Sequence, residues 1–182
     1  MHLREAQRDM RRAYVNGGVG IFVSGLVWVI AGAVTLYADL FSGMATLFFG
    51  GMLIHPLSLL LARRVFYRGR ARAPNPMEML ALQSTAFLII GVVIAYLVSA
   101  TYGDWFFAIA LLAVGARYLV FQTVYGMRLY LVLGVVLMAI AAAALSAAAF
   151  AASAFRASSA FFCSAARVAA AEAAEVAASA AG

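Results

Sequence analysis

Long apolar stretches separated by brief polar turns set the layout of this chain. Gly17–Ala38, Leu40–Ala62, Met79–Ala100, Trp105–Val124 and Leu129–Ala149 are each almost free of charge. Each is close to the roughly 20 residues that a helix needs to cross a bilayer. The pattern predicts five transmembrane helices. Asp39 alone parts the first two, which makes them a hairpin, and Thr101-Tyr102-Gly103-Asp104 parts the third from the fourth. Tyr125-Gly126-Met127-Arg128 parts the fourth from the fifth, because glycine ends helices readily and arginine suits the membrane boundary. The longest polar segment is RRVFYRGRARAPN, residues 63–75, closed by Pro74-Asn75-Pro76, whose prolines disfavour helix.

Inside the spans, Gly20 and Ser24 have the four-residue spacing of small side chains that lets helix backbones approach closely. Trp28 falls deeper than the usual aromatic belt, whereas Trp105-Phe106-Phe107 reads as an interfacial anchor. Pro56 has no N–H and frees a carbonyl one turn earlier, so the second span should bend there, beside His55.

The two ends differ from the middle. In HLREAQRDMRRAY, residues 2–14, Leu3, Gln7, Met10 and Tyr14 fall near one helical face with arginines around the others. This reads as an amphipathic helix in the membrane interface, or as a solvated terminus that sets topology, and the two are compatible. Residues 150–182 are alanine-rich and helix-prone, interrupted by Arg156, Arg167, Glu172 and Glu175. They read as a sixth span held by bundle contacts, the alternative being a helix outside the bilayer. The predicted fold is therefore an all-α, polytopic transmembrane helix bundle of six spans with both termini cytoplasmic. It has an interfacial helix at 1–14, a bundle at 15–150 with a basic cytoplasmic loop at 63–76, and the alanine-rich helix at 151–182.

Composition agrees with a membrane class. The chain of 182 residues is 66% hydrophobic and 11% charged, far from the balance of soluble domains, and its mean hydropathy is +0.99. The formal charge is +6. The arginines adjoin apolar spans, so orientation against an anionic leaflet explains them better than nucleic acid does. All thirteen basic residues are arginine, which together with the abundant alanine reads as codon bias in a GC-rich bacterial genome; the expected location is the bacterial inner membrane. The rule that basic loops stay inside puts the N-terminal arginines and the 63–75 loop in the cytoplasm, with Asp39 and Asp104 at the outer ends. Arg63, Arg64, Arg68, Arg70 and Arg72 form a candidate contact with anionic lipid headgroups. The single cysteine, Cys163, excludes an intrachain disulfide and a cysteine-based metal cage. The first apolar run lacks a cleavage pattern and is expected to be retained.

Candidate chemistry centres on Arg117, a permanent charge deep in the fourth span that needs a partner or a hydrated cavity. At about 1.5 Å of rise per residue, His55, Arg117 and Glu172 reach one level from three different spans. Tyr118, Gln122 and Tyr125 follow Arg117 at spacings of four and three and share a face. These six residues are the candidate ligand or ion pathway. The competing account is structural, with Arg117 paired to Glu172 and His55 bonded to a carbonyl freed by Pro56. Walker, dinucleotide-binding, zinc-protease and Gly-x-Ser-x-Gly patterns are absent, so neither cofactor nor metal is expected, and enzymatic function is disfavoured.

The segments Gly50-Gly51-Met52-Leu53-Ile54-His55-Pro56, Asn75-Pro76, Gly115-Ala116-Arg117-Tyr118 and Tyr125-Gly126-Met127-Arg128 resemble a family of small bacterial multi-pass membrane proteins without assigned function. The resemblance covers residues 1 to 150 and implies the membrane class, not a substrate. The reading that follows is a small transporter or channel-like protein, with a small solute or ion at Arg117 and His55 able to carry protons. The rival is a non-catalytic membrane subunit or scaffold, and a more distant third is a lipid-modifying enzyme using His55. Partners are the bilayer, its anionic headgroups and a second copy of the chain, not nucleic acid. If residues 151–182 cross the bilayer, Cys163 will react very slowly with a membrane-impermeant maleimide from both sides; rapid labelling from either side places it outside.

Overall fold

The computed structural model describes residues 2–66, 75–150 and 153, and every regular element among them is helical. The helices are α1 (Leu3–Ala13), α2 (Gly18–Tyr37), α3 (Leu40–Phe66), α4 (Pro76–Ser99) and α5 (Phe106–Tyr125), followed by α6 (Arg128–Phe150). Short 3-10 turns at Val15–Gly17 and Gly103–Trp105 lead into α2 and α5. Among the described residues, five helices are long and apolar enough to cross a membrane, and they coincide with the five predicted spans. The alanine-rich segment expected as a sixth span, with Cys163 and Glu172, lies outside the described residues. So do Arg68, Arg70 and Arg72.

The chain divides into two units, residues 1–142 and 143–182. In the second, the described residues are 143–150, which finish α6, and Ser153. In the first, α2 lies along α3 and α4 along α5. One core joins all four: Val27 and Ala31 of α2, Met44 and Leu47 of α3, Ala95 of α4, and Phe106 and Ala110 of α5. Large apolar side chains also cover the outside, among them Phe22, Val29 and Ile30 on α2, Phe87, Ile90 and Leu97 on α4, and Val132, Val136 and Ile140 on α6. Apolar surface on that scale is what lipid tails solvate and water does not.

Apolar side chains gain little by leaving lipid, so close backbone approach has to hold such helices together. Three neighbouring pairs meet at a glycine. A Cβ on Gly50 of α3 would come within 2.7 Å of the Val27 side chain, and one on Gly91 of α4 within 2.6 Å of Ala113. Gly115 of α5 and Gly134 of α6 face each other, and a Cβ on either would lie 3.0 or 2.9 Å from the other's carbonyl oxygen. Gly20, singled out by its spacing, has ordinary room beside Ser58.

Local signals explain most boundaries. Asp39 starts α3, accepting from the Ser42 backbone N–H at 2.8 Å and its hydroxyl at 2.6 Å. Those two bonds hold its carboxyl below the usual carboxylate range. Asn75 caps α4 by accepting from Met77 N–H at 3.0 Å, with Pro76 in the first turn. Pro76 therefore opens the helix, where a missing N–H costs nothing, and the span begins three residues earlier than Met79. Pro56 sits inside the continuous α3. Trp28 tilts against Phe107 at 6.2 Å beside the core, which accounts for its depth. Of the expected anchor, Trp105 stacks on Tyr102 at 4.8 Å, whereas Phe106 is buried.

α1 is the main difference from the sequence reading. It docks on the ends of α4 and α5 through Ala6, Met10 and Ala13, all buried, and leaves Leu3 exposed. The buried face is therefore the Ala6, Met10 and Ala13 stripe, with Met10 among the largest fully buried side chains. The chain then reverses at Gly126, whose φ of +63° favours glycine. A Cβ there would also press to 2.5 Å from Gln7 Oε1 of α1. Gly126→Ala should therefore destabilise the protein by about 1–2 kcal/mol. Gly51, with open space around its Cβ position in α3, should tolerate alanine or gain about 0.5–1 kcal/mol. Thermal unfolding of the two variants in detergent should move in opposite directions.

Candidate functional site

Arg117 lies in the interior of α5, about 12 Å before the helix ends at Tyr125 on a rise of 1.5 Å per residue. It is partly buried, between α4 and the aromatic residues of its own helix. Its Nη2 donates to Thr85 Oγ1 on α4 at 3.0 Å. Thr85 Oγ1 in turn donates to the Ala81 carbonyl at 3.0 Å, so its one hydrogen is already committed. The guanidinium carbon lies 4.8 Å from the centre of the Phe121 ring. Arg117 Nε is buried and has no partner. Among the described residues no carboxylate pairs with this cation; one hydroxyl and one ring face are what it has. An unpaired N–H beside a buried positive charge can donate to an incoming oxygen, and an anion would gain most.

Below Arg117, toward the α1 end, four rings form a continuous cluster. Tyr118 and Tyr125 both stack on Tyr130 of α6, at 5.9 and 5.1 Å, and Phe121 meets all three edge-on. Tyr130 donates to the Asn16 carbonyl at 2.6 Å. Gly17, at φ +75°, passes so close to that hydroxyl that no Cβ would fit. Ser24 of α2 lies against the Tyr118 hydroxyl.

α1 closes this end. Gln7 Nε2 donates to the Thr123 carbonyl at 2.8 Å, and Arg11 Nη1 donates to the Tyr125 carbonyl. Both are last-turn carbonyls of α5 that no helical N–H can reach. Asn75 Nδ2 donates to the Ala6 carbonyl at 3.2 Å and to Asp9 Oδ2 at 3.1 Å. Tyr14 donates to Glu78 Oε1 at 2.8 Å, with Arg63 nearby.

The structure brings Arg117, Tyr118 and Tyr125 into one region, the two tyrosines through the ring cluster. Gln122 is partly buried next to them, and its backbone carbonyl accepts from Gly126 N–H at 2.7 Å. His55 is placed elsewhere. It is exposed, and among the described residues no hydrogen bond or ring contact joins it to Arg117. The direction of His55 around its helix separates it from the Arg117 region. α3 faces the bundle with Met44, Leu47, Ile54 and Ala62, and His55 lies one step round from Ile54. Glu172 lies outside the described residues. Arg63 and Arg64 are exposed in the last turn of α3. No group of three His, Cys, Asp or Glu side chains that could hold a metal occurs among the described residues.

Sequence reasoning missed Thr85, Phe121, Glu78 and Tyr130. Thr85 and Phe121 carry no signal of their own, since a threonine and a phenylalanine in a span are ordinary. Asn75-Pro76-Met77-Glu78 did carry one, a capping residue, a proline and an early acid, which together mark a helix start.

Burial, and then the bond to Glu78, raise the Tyr14 hydroxyl above its ordinary pKa of 10.0. The folded state therefore holds its proton more tightly than the unfolded chain does. The associated stability is complete below about pH 10, the unfolded value, and is lost as pH rises through the folded value. Tyr14→Phe should be less stable than the parent at neutral pH by about 1 kcal/mol. The gap should narrow above pH 10, read from thermal unfolding of both proteins across alkaline buffers.

No curated protein and no solved structure matches this chain. A family of unknown function, DUF7010, matches it over residues 3–171. The match extends into the alanine-rich tail, past the limit of 150 expected from the short motifs, and ends just before Glu172. With nearly its whole length matched, the chain belongs to that family of unknown function, DUF7010.

Proposed function

We propose that this integral membrane protein is a small transporter or channel-like protein in which Arg117 attracts an anionic or polar solute. The observation that carries this reading is the buried, unpartnered Nε of Arg117 in a bundle whose described residues offer that cation no carboxylate. A guanidinium presents a planar fork suited to oxygen pairs. Here one prong rests on Thr85 and Nε is unspent. We place the α1 end in the cytoplasm of a bacterial cell, with both termini there if a sixth span completes the bundle. The exposed arginines at that end and the acids Asp39 and Asp104 at the other support this orientation. His55 is exposed, and proton carriage by it is not part of the site proposed.

A second reading rests on the same bonds. Arg117 ties α4 to α5 through Thr85 and clasps Phe121, as it would in a non-catalytic subunit or scaffold. The sign of one mutation separates the two. A solute-binding arginine is a stability liability in the empty protein, since apolar residues of similar volume often replace buried charges at no loss or with a gain of about 1–4 kcal/mol. Arg117→Met should therefore match or exceed the parent in thermal unfolding. Arg117→Met and Arg117→Gln should both abolish the flux of small anions, tested with chloride, acetate and phosphate in reconstituted vesicles. A strongly destabilised Met variant would favour the structural reading. Unchanged flux in a folded Gln variant would overturn the transport reading.

A further inference from the structure

At the end where α1 docks, the two signs of charge are sorted by direction. Of the three described acids there, Asp9 and Glu78 are turned into the seam, and Glu5 is exposed and tied to the start of its own helix. Glu5 accepts from the His2 backbone N–H at 3.0 Å, Asp9 from Asn75 at 3.1 Å and Glu78 from Tyr14 at 2.8 Å. Besides Arg12, five arginines at the same end are exposed: Arg4 and Arg8 on α1, Arg63 and Arg64 at the end of α3, and Arg128 at the start of α6. Among the described residues none of these five is in an ion pair. The sorting follows from the docking of α1. Its Ala6, Met10 and Ala13 face is consumed by the bundle and Arg11 reaches inward to α5, so Arg4 and Arg8 have only the outward side.

Those arginines also sit at a defined level. Arg63 and Arg64 lie between exposed Leu60, Leu61 and Val65, and Arg128 is followed by exposed Leu129 and Leu131. On α1, Arg4 adjoins exposed Leu3. A cation next to an outward apolar side chain on a spanning helix marks where hydrocarbon gives way to headgroups. The guanidiniums therefore stand at the height of lipid phosphates, with Glu5 the one exposed acid among the described residues at that end.

From this we infer that the α1 end is a binding surface for anionic phospholipid headgroups, shared by α1, the end of α3 and the start of α6. Phosphodiester groups bridge arginines of different helices and hold α1 in its docked position. This reaches beyond the basic 63–75 loop, because α1 and Arg128 join the surface only through the fold. It does not depend on what Arg117 binds.

The test is thermal unfolding of the full-length protein in detergent, titrated with short-chain phosphatidylglycerol, phosphatidylcholine or inorganic phosphate. Phosphatidylglycerol should raise the unfolding temperature by a few degrees, and the other two should not. In about 1 M salt, where screening acts within about 3 Å, the rise should vanish. Combined Arg4→Gln, Arg8→Gln, Arg64→Gln and Arg128→Gln should abolish it, each change weakening apparent affinity about fivefold, equivalent to about 1 kcal/mol. These positions face outward, so the variant keeps the docking face of α1. If it nevertheless fails to fold, the salt dependence of the parent decides. Equal stabilisation by phosphatidylcholine overturns the inference, as does an equal effect of free phosphate, or a phosphatidylglycerol effect that survives the four substitutions or high salt.

Discussion

A spanning helix that stops at a tight turn leaves its last carbonyls where hydrocarbon meets headgroups, and nothing in lipid can satisfy them. The end of α5 is such a place, and the rest of the α1 end depends on how it is met. Gly126 takes the left-handed conformation and returns its N–H to the Gln122 carbonyl at 2.7 Å. The Thr123 and Tyr125 carbonyls are left, and α1 supplies Gln7 and Arg11 to them. Arg11 also brings positive charge to the negative end of the α5 dipole. On its other side, α1 serves a helix of opposite polarity. Asp9 and the Ala6 carbonyl receive Asn75, the cap of α4, and place negative charge at that helix's positive end. One short helix with both signs of charge thus completes two helix ends that run in opposite directions.

The same constraint governs the middle of the bundle. With lipid as the outer solvent, burial of leucine against leucine adds little, and contact depends on how closely backbones can approach. Gly50 against Val27, Gly91 against Ala113 and Gly115 against Gly134 set those distances. The Gly115 contact has a further consequence. It brings α6 close enough to α5 for Tyr130 to stack on Tyr118 and Tyr125. The ring cluster that floors the Arg117 region is therefore a product of two glycines and a left-handed turn, not of aromatic attraction alone.

Those causes explain what could be read from the sequence. Spans, turns and the Gly126 break are written in composition and local order, and the structure returns all five spans with shifts at their ends. The start of α4 was also written, in Asn75-Pro76, but the prolines invite a loop reading unless proline is placed in the first turn. Azimuth was not legible. An apolar helix in lipid has apolar residues all round, so no polar stripe tells which side faces the bundle. That is why depth alone grouped His55 with Arg117, although His55 lies off the face that carries Ile54 and Ala62. The partners of Arg117 were hidden for a related reason. Thr85 belongs to a different hairpin arm, and its pairing follows from the Gly91–Ala113 contact that fixes the register of α4 on α5.

The energetics of Arg117 can be bounded. Placing arginine at the centre of a span costs about 3 kcal/mol on insertion scales. A cation over a ring returns about 1–2 kcal/mol, and a hydrogen bond to the charged group about 1.5–3 kcal/mol. The position is thus nearly neutral, and an apolar side chain would serve stability as well. Stability alone therefore does not call for an arginine here. What it adds over methionine is a donor, Nε, aimed at no atom of the described chain, inside a wall of Thr85 and Phe121 that already fixes the plane of its fork. In the proposed reading, a group held in orientation with an unspent N–H needs no further ordering to donate to a solute oxygen, which is what would preorganise it.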